Sequence, residues 1–177
     1  MILREFRHLL RIHKGQIISD SEYIDCVRDI LEHDTFLEMQ KYIHHGRTNC
    51  LRHCVHVSYC SYLLARRWGL DYRSAARAGL IHDLFLYDWH THAKETNEHF
   101  HGFRHPRKAL INANRVFDLN PCEQDAILCH MWPLTIKPPR YKVGFIICLM
   151  DKYCGSMETF RSTRNMIPWL KKVIQTV

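Results

Sequence analysis

Six residues of this chain have side chains suited to holding metal ions: His53, His82, Asp83, His105, His130 and Asp151. Imidazole with carboxylate suits zinc, iron, manganese, nickel or cobalt, and a set without thiolates disfavours an iron–sulfur cluster. The adjacent pair His82-Asp83 is the most specific element, because one carboxylate beside one imidazole can bridge two ions. The sequence carries 14 His in 177 residues, and histidine serves as metal ligand and as acid or base near neutral pH. A lone His on an apolar face is more often a hydrogen-bonded core residue than a ligand, so the argument rests on the set.

Helices must position these groups. His53 shares a face with Val57, Cys60 and Leu64, at steps of four, seven and eleven, the period of a buried helical stripe. His82 follows Ala75 and Gly79 on one face, and the small residues admit a neighbouring helix. His130 lies one turn beyond Ala126 and Ile127, and Asp151 one turn beyond Ile147. A carboxylate aimed into a core is costly unless paired or coordinated. Several imidazoles and two carboxylates converging on one core therefore point to a metal cluster.

Along the chain, Ser19, Asp20 and Ser21 cap a helix carrying Tyr23, Val27 and Ile30. A short helix around residues 36–43 is broken by His44-His45-Gly46. A long helix from Cys50 to Trp68 stops at Gly69. Asp71 caps the next, which ends near His82-Asp83. Residues 84–103 are aromatic and His-rich, and read as a long functional loop. Pro106 is expected to open a helix that ends near Phe117. Asn120-Pro121-Cys122-Glu123 resembles a capping box and leads to His130. Further helices are expected over residues 141–160 and 168–174. No β pattern, repeat or linker stands out. The expected fold is a single all-α domain of about six to eight helices, with N-terminal helices over 1–44, a metal-binding core over 45–160 and a C-terminal helix over 161–177.

Composition narrows the class. A 46% hydrophobic content argues against disorder, and neither a signal peptide nor a stretch of membrane-spanning length is apparent. The 8 Cys fall mainly within helical patterns without paired C-x-x-C motifs, which reads as reduced, buried thiols in a cytoplasmic protein. The net charge of +7 weakly favours an anionic small-molecule partner. No nucleic-acid motif accompanies it, so no specific nucleic-acid partner and no membrane partner are expected; a homo-oligomer is compatible with the sequence.

Taken together, His53, the LIHD run at Leu80–Asp83, His105, His130 and the LMDK run at Leu149–Lys152 resemble the HD-domain superfamily, with its ordered H…HD…H…H…D ligands. The resemblance covers roughly residues 45–160. It implies an all-α metal-dependent phosphohydrolase that acts on nucleotides or related small phosphorylated compounds. The two extra His between HD and the last Asp are typical of members with a binuclear centre, which implies two divalent transition-metal ions as cofactor. Asp83 would bridge them, and His105 and His130 would hold the second ion; His99 or His101 can substitute for His105. The sequence departs from known branches at Leu86, where many phosphodiesterases place Lys, and no GYP motif follows. HDLFLYDWH suggests a separate branch.

Within this resemblance, the ions would activate a water, and Asp88 or His90 would join Asp83 as catalytic groups by protonating the leaving group. Arg104, Lys137, Arg140, Lys152 and Arg47 are the expected phosphate-binding cations. Trp132, with Trp89, Phe100 and Phe103, is expected to stack on a base or sugar. The 84–103 loop would form a wall or lid with Asp88 or His90 facing the metals. Two other functions fit the ligand order or the charge. One is a di-iron oxygenase of the HD fold, disfavoured by Leu86 and Leu134 where such enzymes carry Lys. The other is a non-catalytic nucleotide-binding module, disfavoured by the complete ligand set.

Overall fold

A computed structural model describes residue 17 and residues 19–45, 48–89 and 101–166, with the side chains of residues 45, 101 and 161–166 excepted. The architecture is helical, as the periodicity predicts. Helix α1 spans Ser21–Leu31 and the single turn α2 spans Asp34–Leu37, followed by a 3-10 turn. A short antiparallel hairpin pairs β1, Ile43–His45, with β2, Thr48–Asn49. Helices α3 (Cys50–Arg67), α4 (Tyr72–Ile81), α5 (His101–Val116), α6 (Pro121–Cys129) and α7 (Lys142–Met166) follow. No helix among the described residues is long and apolar enough to cross a membrane.

Caps explain most of the boundaries. The carboxylate of Asp20 accepts from Tyr23 N at 3.1 Å, and Asp71 accepts from Ser74 N at 2.9 Å. Asn49 accepts from Arg52 N at 2.9 Å at the start of α3. Asn120 and Glu123 form the reciprocal capping box, with bonds of 2.9 and 3.0 Å. Each such side chain satisfies an amide that the helix leaves without a partner, worth about 1 kcal/mol. Helix α3 ends at Gly69, whose φ of +64° favours a residue without Cβ.

The centre of the molecule is the crossing of α3 and α4. A Cβ added at Gly79 would lie 2.8 Å from Ser58 Cα, so the glycine permits the close approach that its spacing suggested. Ser58 Oγ donates to Ala76 O at 2.6 Å across the same crossing. Helix α7 lies against α3, α4 and α6, and the fully buried Leu80, Ile81, Ile127, Ile146, Ile147 and Met150 fill the space between. The eight cysteines form no disulfide, and all but the half-buried Cys122 are buried.

Three local expectations change. The hairpin at 43–49 is β structure where none was expected; strands of three and two residues are too short to show alternation. Helix α5 begins at His101, ahead of Pro106, which therefore lies inside the helix. Its missing N–H deprives one carbonyl of the preceding turn of a helical donor, a cost the rest of α5 outweighs. Helix α7 continues to Met166, past the expected end, while the expected helix at 168–174 lies outside the described residues.

Candidate metal centre

Each of the six sequence-identified residues reaches one cluster, but from different kinds of position. His53 sits in the first turn of α3, and Asp151 lies inside α7. His82 and His130 immediately follow the last residues of α4 and α6. There the backbone turns, and carbonyls of the last helical turn lack helical donors. His82 Nδ1 donates to Gly79 O at 2.9 Å, and His130 Nδ1 donates to Ile127 O at 2.8 Å, both three residues back. With Nδ1 carrying the proton, the Nε2 lone pair of each ring is available to the cluster, an arrangement typical of metal-ligating histidines. Asp83, next in the chain, is 3% exposed.

The segment just past Asp83 is held under strain. Leu86 has φ +58°, a conformation costly for a branched side chain. Asn112 on α5 donates to the carbonyls of Leu84 and Phe85, at 2.9 and 3.4 Å. That clamp ties the chain after Asp83 to the helix that carries His105.

Asp83 is the hub. Its Oδ1 lies 3.2 Å from His105 Nε2 and 3.5 Å from His130 Nε2. Its Oδ2 lies 3.5 Å from His82 Nε2 and 2.6 Å from His44 Nε2. Asp151 Oδ1 lies 3.1 Å from His53 Nε2 and 3.6 Å from His82 Nε2. His105 Nε2 and His130 Nε2 face each other at 2.7 Å. A transition-metal ion with bonds of about 2.1 Å separates neighbouring donors by roughly 3.0–3.4 Å in octahedral or tetrahedral geometry. Most of these contacts are near that range, and the two shortest need only a few tenths of an ångström of opening. The donors His82, Asp83 and His130 all lie within 4.8 Å of one another, as do His53, His82 and Asp151. Despite the crowding, the buried His82 Nε2 and Asp83 Oδ1 make no hydrogen bond of acceptable geometry. Buried polar atoms are seldom left so. The His and Asp clusters can hold a metal ion.

Electrostatics point the same way. Burial works against the charge on Asp83, but His82, His105 and His44 hold its carboxyl well below the usual range. Asp151, 12% exposed, is also held well below the usual range, because His53 and His82 outweigh the cost of desolvation. Burial opposes protonation of His53, yet bonds to Asp151 and Glu158 outweigh it and raise its pKa well above normal. Burial also opposes charge on His82, and Asp83 and Asp151 overcome it. In contrast, burial and the neighbouring His105 push His130 down to about 3. The buried carboxylates thus favour positive charge beside His53 and His82, a role a cation can assume.

Two members of this constellation were not among the expected residues. Glu158, one α7 face-repeat beyond Asp151, is 8% exposed. Its Oε2 accepts from His53 Nδ1 at 3.0 Å, and Oε1 lies 3.5 Å from His56 Nδ1. Burial disfavours its charge, but His53 and His56 bring its pKa to about 2. Its seven-residue step from Asp151 was a readable signal. His44 projects from β1, stacked on His53 with centroids 4.0 Å apart and planes 9° from parallel. Only the hairpin, hidden from periodicity, brings it there.

A pocket of about 360 Å³ opens onto the cluster, lined on one side by His44, Asp83, His105, His130, Asp151 and Lys152. Trp89, Met131, Ser156 and Thr159 belong to its other walls. Of the expected cations, Lys152 reaches this pocket, and its Nζ donates to His130 O at 2.9 Å. Arg104, Lys137 and Arg140 are exposed and are not among the described lining residues. Trp132 instead packs edge-on against Phe145 at 5.5 Å. Of the expected loop residues, Trp89 lines the pocket, Asp88 is exposed and does not, and Phe103 is 54% exposed. Arg47, His90, His99 and Phe100 lie outside the described residues, as does the side chain of His101.

Comparisons of the whole chain with protein-family models, with curated proteins and with solved structures give no match.

Proposed function

We propose that this chain is a metal-dependent hydrolase of phosphate esters, acting on a nucleotide or related small phosphorylated compound, as its resemblance to the HD superfamily implies. The observation that carries the reading is the Asp83 carboxylate, flanked by imidazole nitrogens on both oxygens and open to a pocket with a lysine on its wall. Asp83 Oδ1 with His105 and His130 would hold one divalent transition-metal ion, and His53, His82 and Asp151 with the other Asp83 oxygen a second. Bound ions of this kind supply Lewis acidity and a water acidified toward neutral pH.

The chain's own residues do the rest. Glu158 accepts the Nδ1 proton of His53, which fixes the ring and makes its Nε2 a stronger donor. The carbonyls of Gly79 and Ile127 do the same for His82 and His130. Lys152 has one ammonium proton committed to His130 O. Two remain to bind an anionic substrate group at the mouth of the cluster. Trp89 and Met131 offer apolar surface for the remainder of the substrate.

The test is phosphate release from monoesters, diesters and nucleotides by protein reconstituted with Mn, Fe, Ni, Co or Zn. Turnover that requires metal and disappears in Asp83→Ala supports the reading. Absence of turnover with every metal and ester, together with oxygen consumption by a reduced di-iron sample, replaces it with the oxygenase.

A further inference from the structure

We propose that His44 is a seventh protein donor to the metal centre, on the Oδ2 side of Asp83; this rests on the reading that the cluster binds metal. Four imidazole nitrogens surround the single carboxylate of Asp83, two on each oxygen: His105 and His130 on Oδ1, His44 and His82 on Oδ2. As a bridge between two cations, the carboxylate needs a set of imidazole nitrogens beside each oxygen, and two stand beside each.

The short contacts agree. His105 Nε2–His130 Nε2 at 2.7 Å and His44 Nε2–Asp83 Oδ2 at 2.6 Å lie on opposite sides of Asp83, and each joins two atoms able to serve one ion. Each pair sits at hydrogen-bond distance, and an ion shared by its two atoms would spread them apart. His44, His53 and Asp83 also have donor atoms that all lie within 4.8 Å of one another. The position is built rather than incidental. Cys50 N donates to Tyr42 O at 2.8 Å, tying the base of β1 to the start of α3. Trp89 Nε1 donates to His44 O at 3.3 Å. The ring is stacked on His53, so its direction is set by the residue beside which it would ligate. The hairpin thereby delivers a further ligand to the side of the centre that helices α3 and α4 already supply.

Co2+ is the probe, because the intensity of its visible absorption reports coordination number. Wild type, His44→Ala, His44→Gln and Asp83→Ala are titrated with Co2+ alone, with far-UV circular dichroism confirming the fold. Ligation predicts that His44→Ala lowers affinity for one equivalent by tenfold or more and changes the spectrum. It also predicts that His44→Gln, which retains an N–H for Asp83 but is a poor ligand, behaves like His44→Ala. Recovery of wild-type affinity and spectrum in His44→Gln overturns the proposal in favour of a hydrogen bond that positions Asp83. Wild-type binding by His44→Ala overturns it while leaving the centre intact. If wild type binds no Co2+, or Asp83→Ala binds as well as wild type, the metal reading itself fails and takes the proposal with it. Should both His44 variants unfold, the 15N resonances of the His44 ring in wild type decide: a displaced Nε2 on adding Zn2+ supports ligation, and an unmoved one overturns it.

Discussion

The two sides of Asp83 are built on different electrostatic plans. On the Oδ2 side, His53 and His82 are fully buried in or beside helices α3 and α4, and two further carboxylates, Asp151 and Glu158, face them. On the Oδ1 side, His105 and His130 share the pocket wall. Asp83 Oδ1 faces both, and His130 makes its Nδ1 bond to a neutral carbonyl. The acid-rich side raises the pKa of His53 and His82; on the other side, burial and His105 lower that of His130 to about 3. Anionic donors and a carboxylate behind the ligand strengthen metal binding, so the acid-rich side should hold its ion more tightly than the other.

The largest effect should come from the residue the two sides share. Asp83→Ala removes a donor from both and leaves four imidazoles without their hub. Metal content should fall to near zero, and turnover should drop by at least about a thousandfold, on the scale of losing a metal or triad group. Elemental analysis beside kinetics checks this. Normal metal content in the folded variant would show that Asp83 is no bridge.

Next comes the acid that separates the sides. Glu158→Gln keeps the shape but weakens the acceptor behind His53. One ion should bind about tenfold to a hundredfold more weakly, the usual cost of losing a partner behind a ligand, while the other is unaffected. Two-step Zn2+ titration resolves the pair. Equal weakening of both steps would erase the asymmetry.

Much of this centre was legible because helix faces carry their own period. His53, His130 and Asp151 fall on apolar stripes, Gly79 marks a helix crossing, and the capping residues Asp71, Asn120 and Glu123 act within one turn of themselves. His44 was not legible, since its place depends on the pairing of Ile43 with Asn49 across the hairpin and on packing against residues remote in sequence. The cations expected to bind phosphate fared unevenly for a related reason. Adjacency to a ligand in sequence does not put a helical residue on the ligand's side: Arg104 precedes His105 by one position, a rotation of roughly 100°, and is exposed where His105 is buried. Lys152 also follows its ligand by one, yet its length carries Nζ back to His130 O.

Protons should report the same contrast. In the metal-free chain, His53 and His82 have raised pKa values, so they favour the fold below the unfolded pKa of about 6.5, and that contribution fades as pH rises through their folded values. His130, lowered to about 3, works oppositely: its contribution is present above about 6.5 and is lost as pH falls toward 3. Glu158, lowered to about 2 from 4.5, adds stability above 4.5 that is lost between 4.5 and 2. Zn2+ binding at pH 7 should therefore release protons from the acid-rich side. Calorimetry in buffers of different ionisation enthalpy measures this, and His53→Ala should reduce the release. Unchanged proton release in that variant would mean His53 is already neutral.

The smallest expected effect lies at the pocket wall. Lys152 is 43% exposed, so its charge is screened and its contribution to binding is modest. It nevertheless stands beside both halves of the centre, with Nζ 2.9 Å from His130 O and 4.0 Å from Asp151 Oδ2. Lys152→Met keeps the apolar stem and deletes the ammonium. For an anionic substrate, KM should rise by about threefold to tenfold, the loss of one partly solvated charge contact, with kcat and metal content within twofold of wild type. Arg104→Ala, from an exposed position on α5 outside the described pocket lining, is the matched control and should leave KM near wild type. A rise in KM with Arg104→Ala and none with Lys152→Met would place the substrate's anionic group on the His105 side instead. A fall in metal content with Lys152→Met would make Lys152 a support for His130 rather than a contact to substrate.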